Sequence, residues 1–142
     1  MKKGVSSILL FCLLSLLVTS GCAAKSGGAN SSGNFRIGVL LPLSGANAHE
    51  GEVCKNAMQF AADKINGAGG IKSLGGEKLE LVFGDHTADA QVAITEMERI
   101  ILNEKVEALL GPYNSAVGYT TAQVAEKYGL PYQIGRASCR ER

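Results

Sequence analysis

The chain has 142 residues, with 14 Lys and Arg against 13 Asp and Glu, so its formal net charge is +1. This balance argues against a nucleic-acid-binding protein, which normally carries a clear basic excess. Apolar residues make up 46% of the chain and charged residues 19%. That composition is too apolar for an intrinsically disordered protein. The basic excess lies at the two ends, because residues 22–133 hold 9 basic and 12 acidic residues.

The first 21 residues have the pattern of a signal peptide. Two lysines precede an apolar run at residues 8–18, which is too short to cross a bilayer and has the length of a signal-peptide core. Residues 19–22, Thr-Ser-Gly-Cys, then resemble a bacterial lipobox, in which the cysteine becomes the lipidated N-terminus. We therefore expect a lipid anchor on Cys22. An ordinary secretory signal cleaved near residues 23–24 is the alternative.

Neither flank of the central region is predicted to belong to the fold. Residues 22–34 form a tether rich in Gly, Ser and Asn, and we expect a flexible spacer there. Residues 134–142 have no apolar period and resemble the translation of a sequencing adapter, so we expect a non-native tail. A genuine basic tail is the alternative. The predicted folded part is residues 35–133.

Only one of the four cysteines is left within the predicted fold. Cys12 leaves with the signal peptide, Cys22 is the expected lipidation site and Cys139 lies in the tail. The remaining thiol, Cys54, cannot form an intrachain disulfide. Because it lies among helix-forming residues, we expect it to have a packing role.

The first predicted strand is residues 35–41, an apolar β-branched run that ends at Pro42. A loop at 42–51 follows, and then a helix at 52–66. Apolar residues spaced for one helix face predict the side that packs on the core. They are Val53, Ala57, Ala61 and Ile65, with Phe60 beside them.

The second unit repeats this order. After a turn or hairpin excursion at 71–77, we predict a strand at 78–84, a polar loop at 85–89 and a helix at 90–104. Either Asp89 or Thr87 can cap this helix. Its apolar face is predicted to consist of Ala93, Met97, Ile100 and Ile101.

The third unit has a strand at 106–110, then a helix that ends at Gly129, and residues 130–133 begin a fourth strand. Either Asn114 or Ser115 can cap the third helix. Its predicted apolar face is Val117, Thr121, Val124, Ala125 and Tyr128.

Strands that alternate with helices predict an α/β fold, a Rossmann-like doubly wound parallel sheet with helices on both faces. Ligands bind such sheets beyond the carboxyl ends of the strands, where the strand order reverses. If the order begins 2-1-3, the crevice lies between the loops at 42–51 and 111–116.

These two loops hold the candidate ligand-binding residues. Gly45 would allow close approach of a ligand to the backbone beside Ser44, but the first loop has no phosphate-binding motif, and a plain connection is the alternative. Ser115 would place a hydroxyl at a helix N-terminus, where partial positive charge favours a carboxylate, with the backbone of Asn114 and Ala116 beside it. A simple helix cap is the alternative.

No pattern in the chain predicts catalysis, a metal site or a cofactor. The two histidines, His49 and His86, lack the spacing of metal ligands, and no G-x-S-x-G nucleophile motif is present. Asp85 follows a strand, and we expect it to hydrogen-bond its loop. The chain is therefore predicted not to be an enzyme.

Several segments together resemble the type I periplasmic binding proteins of the leucine/isoleucine/valine-binding kind. They are Phe-Arg-Ile-Gly-Val-Leu-Leu-Pro-Leu-Ser-Gly at 35–45, Asn-Ala at 56–57 through Asp63, Ile-Asn-Gly-Ala-Gly-Gly-Ile at 65–71, Gly-Asp at 84–85, Asp-Ala at 89–90 and Leu-Gly-Pro-Tyr-Asn-Ser-Ala at 110–116. The resemblance covers about residues 35–133. It implies two Rossmann-like lobes that close on a ligand, and this chain would hold part of the N-terminal lobe.

The resemblance also implies that Ser115 binds the α-carboxylate of an amino acid, with help from the backbone around Asn114 and Ala116. The loop containing Ser44 and Gly45 would line the same cleft. Some members place an aromatic residue where this chain has Glu50. Some also join two loops by a disulfide at positions that are here Thr87 and Asn114. Ligand specificity therefore stays open among branched-chain and other amino acids, amides, urea-like compounds and aromatic acids.

The function predicted first is an extracytoplasmic solute-binding lipoprotein, anchored to the cell membrane, that delivers an amino acid to the permease of an ABC importer. A ligand-sensing receptor ectodomain of the same fold is the alternative, although a lipid anchor gives it no direct route for a signal into the cytoplasm. A Rossmann-type enzyme is a third possibility, and it would need the nucleotide fingerprint that this chain lacks. The kind of bacterial envelope is left open.

Overall fold

The computed structural model describes residues 33–134. The expectations for the signal peptide, for lipidation of Cys22, for most of the tether and for the tail beyond residue 134 lie outside the described residues. Among the described helices, none combines the length and the apolar character that a membrane crossing requires.

Strands and helices alternate along residues 33–134, as predicted. The strands are β1 (Phe35–Leu41), β2 (Leu79–Asp85), β3 (Ala108–Leu110) and β4 (Tyr132–Gln133). The helices are α1 (Ala48–Gly67), α2 (Ala90–Glu104) and α3 (Ser115–Tyr128). An antiparallel bridge between Ile71 and Glu77 confirms the excursion between α1 and β2.

The strands form one parallel sheet in the order β2-β1-β3-β4. Val39 of β1 pairs with Phe83 of β2 on one side and with Leu110 of β3 on the other. The chain passes from β1 outward to β2 and then returns beyond β1 to β3. The predicted α/β class and the assumed 2-1-3 start are therefore confirmed, and the strand order reverses at β1.

Helices α2 and α3 pack together and cover one face of the sheet. The predicted apolar faces of both helices are confirmed. The buried core on this side consists of Leu40, Ala93, Met97, Ile100, Val106, Leu109, Val117, Val124 and Ala125. The β4 residue Tyr132 packs against this core, where its hydroxyl lies 2.8 Å from that of Thr121, and burial raises the pKa of Tyr132 to about 12.

Helix α1 packs on the other face of the sheet, against β1 and β2. Side chains alternate along a strand, so the fully buried Val39 and Leu41 face away from Leu40 and toward the α1 side. This helix begins at Ala48, four residues before the predicted start. The predicted first loop is correspondingly shorter, and its last residues are helical.

The predicted apolar face of α1 is wrong. Val53 is 56% exposed and Phe60 is 62% exposed, whereas the buried residues of the helix are Gly51 and Ala62. The physical reason is steric, because small residues let the helix backbone approach the sheet. A Cβ atom added at Gly51 would lie only 1.9 Å from the carbonyl oxygen of Pro42, so no larger residue fits there.

The bounds of three strands also differ from the prediction. The fourth strand begins at Tyr132 rather than at 130. The third strand begins at Ala108 rather than at 106, because β1 pairs with it only through Ile37 to Val39. The second strand is shifted by one residue and ends at Asp85.

A cluster of charged residues joins the amino ends of the strands. The Arg36 guanidinium lies 3.3 Å from the Glu80 carboxylate and 2.8 Å from that of Glu104, and it also donates to the Glu104 backbone carbonyl. The backbone N–H of Arg36 donates to the Glu107 carboxylate at 2.7 Å. These contacts tie β1 to β2 and to the end of α2, at the end of the sheet opposite the predicted crevice.

Candidate ligand-binding site

Two loops lie directly against the carboxyl end of β1, and glycine makes both contacts possible. A Cβ atom at Gly111, after β3, would lie 2.2 Å from the Leu40 carbonyl oxygen. A Cβ atom at Gly51, in the first turn of α1, would lie 1.9 Å from the Pro42 carbonyl oxygen. The structure therefore places both segments next to the carboxyl end of β1, and the crevice between them stays a prediction.

The loop after β2 also reaches this strand end. The backbone N–H of His86 donates to the Leu41 carbonyl at 3.0 Å, and the His86 side chain is fully buried. Its Nδ1 atom accepts a hydrogen bond from the Ala88 backbone N–H at 3.0 Å. Burial disfavours the charged imidazolium and lowers the pKa of His86. The ring is therefore a neutral group beneath the loops, not a surface charge.

Asp85 holds the first loop in place. One oxygen of its carboxylate accepts hydrogen bonds from the backbone N–H groups of Leu43 at 2.8 Å, Thr87 at 2.9 Å and Ser44 at 3.3 Å. Burial alone would raise the pKa of Asp85. Hydrogen bonds from the Ser44 hydroxyl and from these backbone groups outweigh burial, so the pKa lies below its usual value. The expectation that Asp85 hydrogen-bonds its loop is confirmed.

The two predicted site residues of the first loop are exposed. Ser44 directs its backbone N–H to Asp85 and precedes Gly45, which has a φ of +77° and begins a short 3-10 turn over Gly45–Asn47. This positive φ explains the glycine, because other residues adopt it at a cost. Whether Ser44 and Gly45 contact a ligand stays a prediction.

The N-terminus of α3 lies at the same end of the sheet. Asn114 occupies the cap position, where its backbone carbonyl accepts from Gly118 at 3.0 Å and its side chain makes no capping hydrogen bond. Ser115 and Ala116 form the exposed first turn. The first amides of a helix have no acceptor within the helix and carry partial positive charge. This end of α3 is therefore suited to a carboxylate, and the roles of these three residues stay predictions.

Sequence reasoning missed two polar groups near this edge. Within residues 33–134, the Nε2 atom of His86 and the Oε2 atom of Glu50 are buried and have no hydrogen-bond partner. The Oδ1 atom of Asn114, a residue already predicted to bind the ligand, is likewise buried without a hydrogen-bond partner. No sequence motif marks these atoms, because burial of a single atom depends on the folded backbone. In the same part of the chain, no three His, Cys, Asp or Glu residues come together as metal ligands do.

The sequence and the fold have clear counterparts among known proteins. A family model described as periplasmic binding protein matches residues 34–138. A Leu/Ile/Val-binding protein homolog of Brucella abortus is 35% identical over 117 residues, which cover 82% of this chain and 28% of that protein. The chain thus spans less than a third of the length of the curated relatives that it matches.

Solved structures agree with this match. The substrate-binding protein LivJ of Streptococcus pneumoniae, a branched-chain amino acid transporter component solved with isoleucine, superposes with a TM-score of 0.66 at 28% identity, over 74% of this chain and 30% of LivJ. The leucine-binding protein LivK of Thermotoga maritima gives 0.62 at 28% identity, over 70% of this chain and 27% of LivK.

The strand order, the loops that meet at the end of β1 and the family match all indicate the same fold. This chain belongs to the periplasmic binding protein family. Its described residues form part of one lobe of that two-lobe fold. The prediction that the chain is not an enzyme agrees with membership of this family of binding proteins.

Proposed function

We propose that the complete protein, of a length similar to that of its relatives, is an extracytoplasmic solute-binding protein that captures an amino acid, branched-chain or related, for an ABC importer. The observation that carries this proposal is the position of the α3 N-terminus at the reversal of strand order, in a lobe that resembles LivJ. A ligand carboxylate would bind Ser115 and the first amides of α3. The loop containing Ser44 and Gly45 would lie beside it.

A thermal-shift panel of single amino acids tests this function in the complete protein. A ligand that binds only the folded state stabilises it by about 2.7 kcal/mol at 100 times its dissociation constant. We expect at least one aliphatic or related amino acid to raise the melting temperature, and we expect genes for a permease and an ATPase beside the complete gene. A panel in which no amino acid shifts the melt would contradict the proposal.

We also propose that the protein is anchored through lipid on Cys22. The support is the Thr-Ser-Gly-Cys sequence after the apolar run at residues 8–18. Because two or more acyl chains anchor a protein stably, the lobe would be held at the membrane surface. We expect radiolabelled palmitate to label the wild type in a bacterial host, and not Cys22→Ser. Equal labelling of the two proteins would exclude lipidation at this residue.

A further inference from the structure

We propose that His86 makes ligand binding sensitive to pH, because a proton on its ring would release the loop after β2 and lower the affinity for ligand in mild acid. The inference rests on the proposed function and adds a form of regulation to it. The loop after β2, which leads to Asp89 at the start of α2, lies at the carboxyl end of the sheet, where the ligand is proposed to bind.

The loop after β2 contacts the predicted site residues of the first loop. The Asp85 carboxylate accepts hydrogen bonds from the backbone N–H groups of Leu43 at 2.8 Å and Ser44 at 3.3 Å. A Cβ atom added at Gly45 would lie 3.7 Å from the Thr87 carbonyl oxygen, which is ordinary van der Waals contact. A change in the conformation of the loop after β2 would therefore reach Ser44 and Gly45.

Two side chains hold this loop in an unfavourable backbone conformation. Thr87 and Ala88 have φ values of +48° and +62°, in the left-handed region that residues other than glycine adopt at a cost. The Thr87 N–H donates to the Asp85 carboxylate at 2.9 Å, and the Ala88 N–H donates to Nδ1 of His86 at 3.0 Å. Loss of either acceptor would let the loop relax.

Protonation of His86 removes one of these acceptors. A neutral imidazole accepts a hydrogen bond at one ring nitrogen, whereas both nitrogens of the imidazolium are donors. A proton on Nδ1 would face the Ala88 N–H, and the new charge would lie in a fully buried side chain. Opening of the loop would relieve both, and it would give Nε2, which has no partner among residues 33–134, access to water. Lower pH therefore favours the open loop.

The charged groups at this end of the sheet do not reverse that preference. The charge of Asp85 favours the protonated ring, but burial has the larger effect and lowers the pKa of His86. Residues 39–47 and 111–118 contain no charged residue. The other charged residues and histidines at this end lie at the starts of α1 and α2, and they are His49, Glu50 and Asp89. The Asp89 carboxylate is directed at the first amides of α2.

Calorimetric titration of the complete protein with L-leucine, L-isoleucine and L-glutamine at pH 7.5 and pH 5.5 tests the inference. A histidine in an open loop has a pKa of about 6.5, and each pKa unit of difference between the two loop states corresponds to a tenfold change in equilibrium. We therefore expect the dissociation constant of the wild type to rise by about threefold to tenfold at pH 5.5. Asp85 stays ionised in this range because its pKa lies below the usual value.

His86→Asn isolates the switch. The side-chain oxygen of asparagine can accept the Ala88 N–H as Nδ1 does, and it does not titrate. We therefore expect this variant to bind with similar affinity at the two pH values. The matched control is His49→Gln, which removes an exposed histidine and should keep the wild-type decrease in affinity.

Hydrogen exchange in the ligand-free wild type measures the same switch without a variant. We expect the protection factors of the Thr87 and Ala88 amides to fall by about threefold to tenfold between pH 7.5 and pH 5.5, because the loop opens when His86 is protonated. Unchanged protection factors would show that the loop stays closed, and the inference would then be wrong.

The titrations separate failure of the inference from failure of the proposed function. If an amino acid binds with equal affinity at both pH values, the inference is wrong and the proposed function survives. If His49→Gln removes the pH dependence and His86→Asn keeps it, then His49 is the titrating group and the inference is again wrong. If none of the three amino acids binds at pH 7.5, both the inference and the proposed function are wrong.

Discussion

The ionisable side chain of His86 is buried, and its surroundings determine whether the ring is charged. The ring is fully buried, and Nδ1 accepts from the Ala88 N–H, so the neutral form carries its proton on Nε2. Burial is the largest influence on its pKa and lowers it, while the nearby Asp85 opposes this. Native His86 therefore resists protonation at pH values where an unfolded chain accepts the proton.

This difference predicts a loss of stability in mild acid. An unfolded histidine has a pKa of about 6.5, so below that pH the unfolded state binds a proton that the native state does not. The free energy of unfolding then decreases as the pH falls through this value. Asp85 stays ionised in this window because its own pKa lies below the usual aspartate value. Denaturant unfolding of the complete protein between pH 7.5 and 5 would measure the decrease.

His86→Gln isolates this contribution. We expect the variant to be less stable than the wild type at pH 7.5 and to lose less stability on acidification. The matched control is His49→Gln, which removes an exposed histidine and should keep the wild-type slope. Equal slopes for the wild type and for His86→Gln would show that His86 does not titrate differently in the folded state.

Predictions about single residues were correct where the neighbouring sequence alone determines the residue's position or hydrogen bonds. The place of Asp85 at the end of a strand was enough to predict loop hydrogen bonds, and the sequence also placed Ser115 at the start of a helix. The orphaned oxygen of Glu50 could not be predicted. Burial of a single side-chain atom depends on the folded backbone, and no motif around Glu50 indicates it.

At the scale of elements, α2 and α1 show when periodicity is informative. Helix α2 has the predicted bounds and the predicted buried face, because its large apolar residues, such as Met97 and Ile100, contact the core. Helix α1 packs through Gly51 and Ala62 and leaves Phe60 exposed. A pattern of large apolar residues cannot reveal a face made of small ones, so α1 was predicted with the right type and the wrong orientation.

The cap of α2 gives a prediction at this scale. The Asp89 carboxylate accepts hydrogen bonds from the backbone N–H groups of Gln91 at 2.8 Å and Val92 at 2.9 Å, which confirms Asp89 rather than Thr87 as the cap. Asp89→Ala should lower the free energy of unfolding by about 0.5–2 kcal/mol. Urea denaturation of the complete protein would measure the change.

Asp63→Ala is the control for this prediction. It removes an exposed aspartate from the interior of α1, where the carboxylate accepts a hydrogen bond from the Gln59 side-chain amide at 3.0 Å. A surface change of this kind usually alters stability by less than about 0.5 kcal/mol. If the two variants lose equal stability, the cap contributes no more than an ordinary surface carboxylate.

At the scale of the whole molecule, this lobe exposes large apolar side chains on more than one element. Val53 and Phe60 lie on α1, Leu102 on α2 and Tyr119 on α3, and their exposed fractions range from 56% to 74%. A parallel sheet is normally covered on both faces, and an open strand edge favours association between chains. We therefore expect these exposed apolar side chains and the open strand edge to favour association between chains.

We expect residues 22–133 expressed alone to fold poorly or to aggregate. Differential scanning calorimetry and light scattering on this segment, compared with the complete protein, would measure the effect. The complete protein should show a cooperative melt, whereas the segment should show a broad transition or none. A sharp, reversible melt of the monomeric segment would show that this part of the lobe is independently stable.

The central claim is that the N-terminus of α3 binds a ligand carboxylate through Ser115. The most direct measurement is calorimetric titration of the complete protein and of Ser115→Ala with the amino acid that the panel identifies and with its α-amide. The control is Thr120→Ala, which removes a hydroxyl that donates within α3 to the Val117 carbonyl.

A hydrogen bond to a charged group contributes about 1.5–3 kcal/mol, so Ser115→Ala should weaken binding of the free amino acid by about tenfold to a hundredfold. The loss should be smaller for the α-amide, which carries no negative charge, and Thr120→Ala should not change the affinity. If Ser115→Ala leaves the affinity within about twofold while stability falls by about 1 kcal/mol, as loss of a helix-end contact would give, then Ser115 has a structural role and the site assignment is wrong.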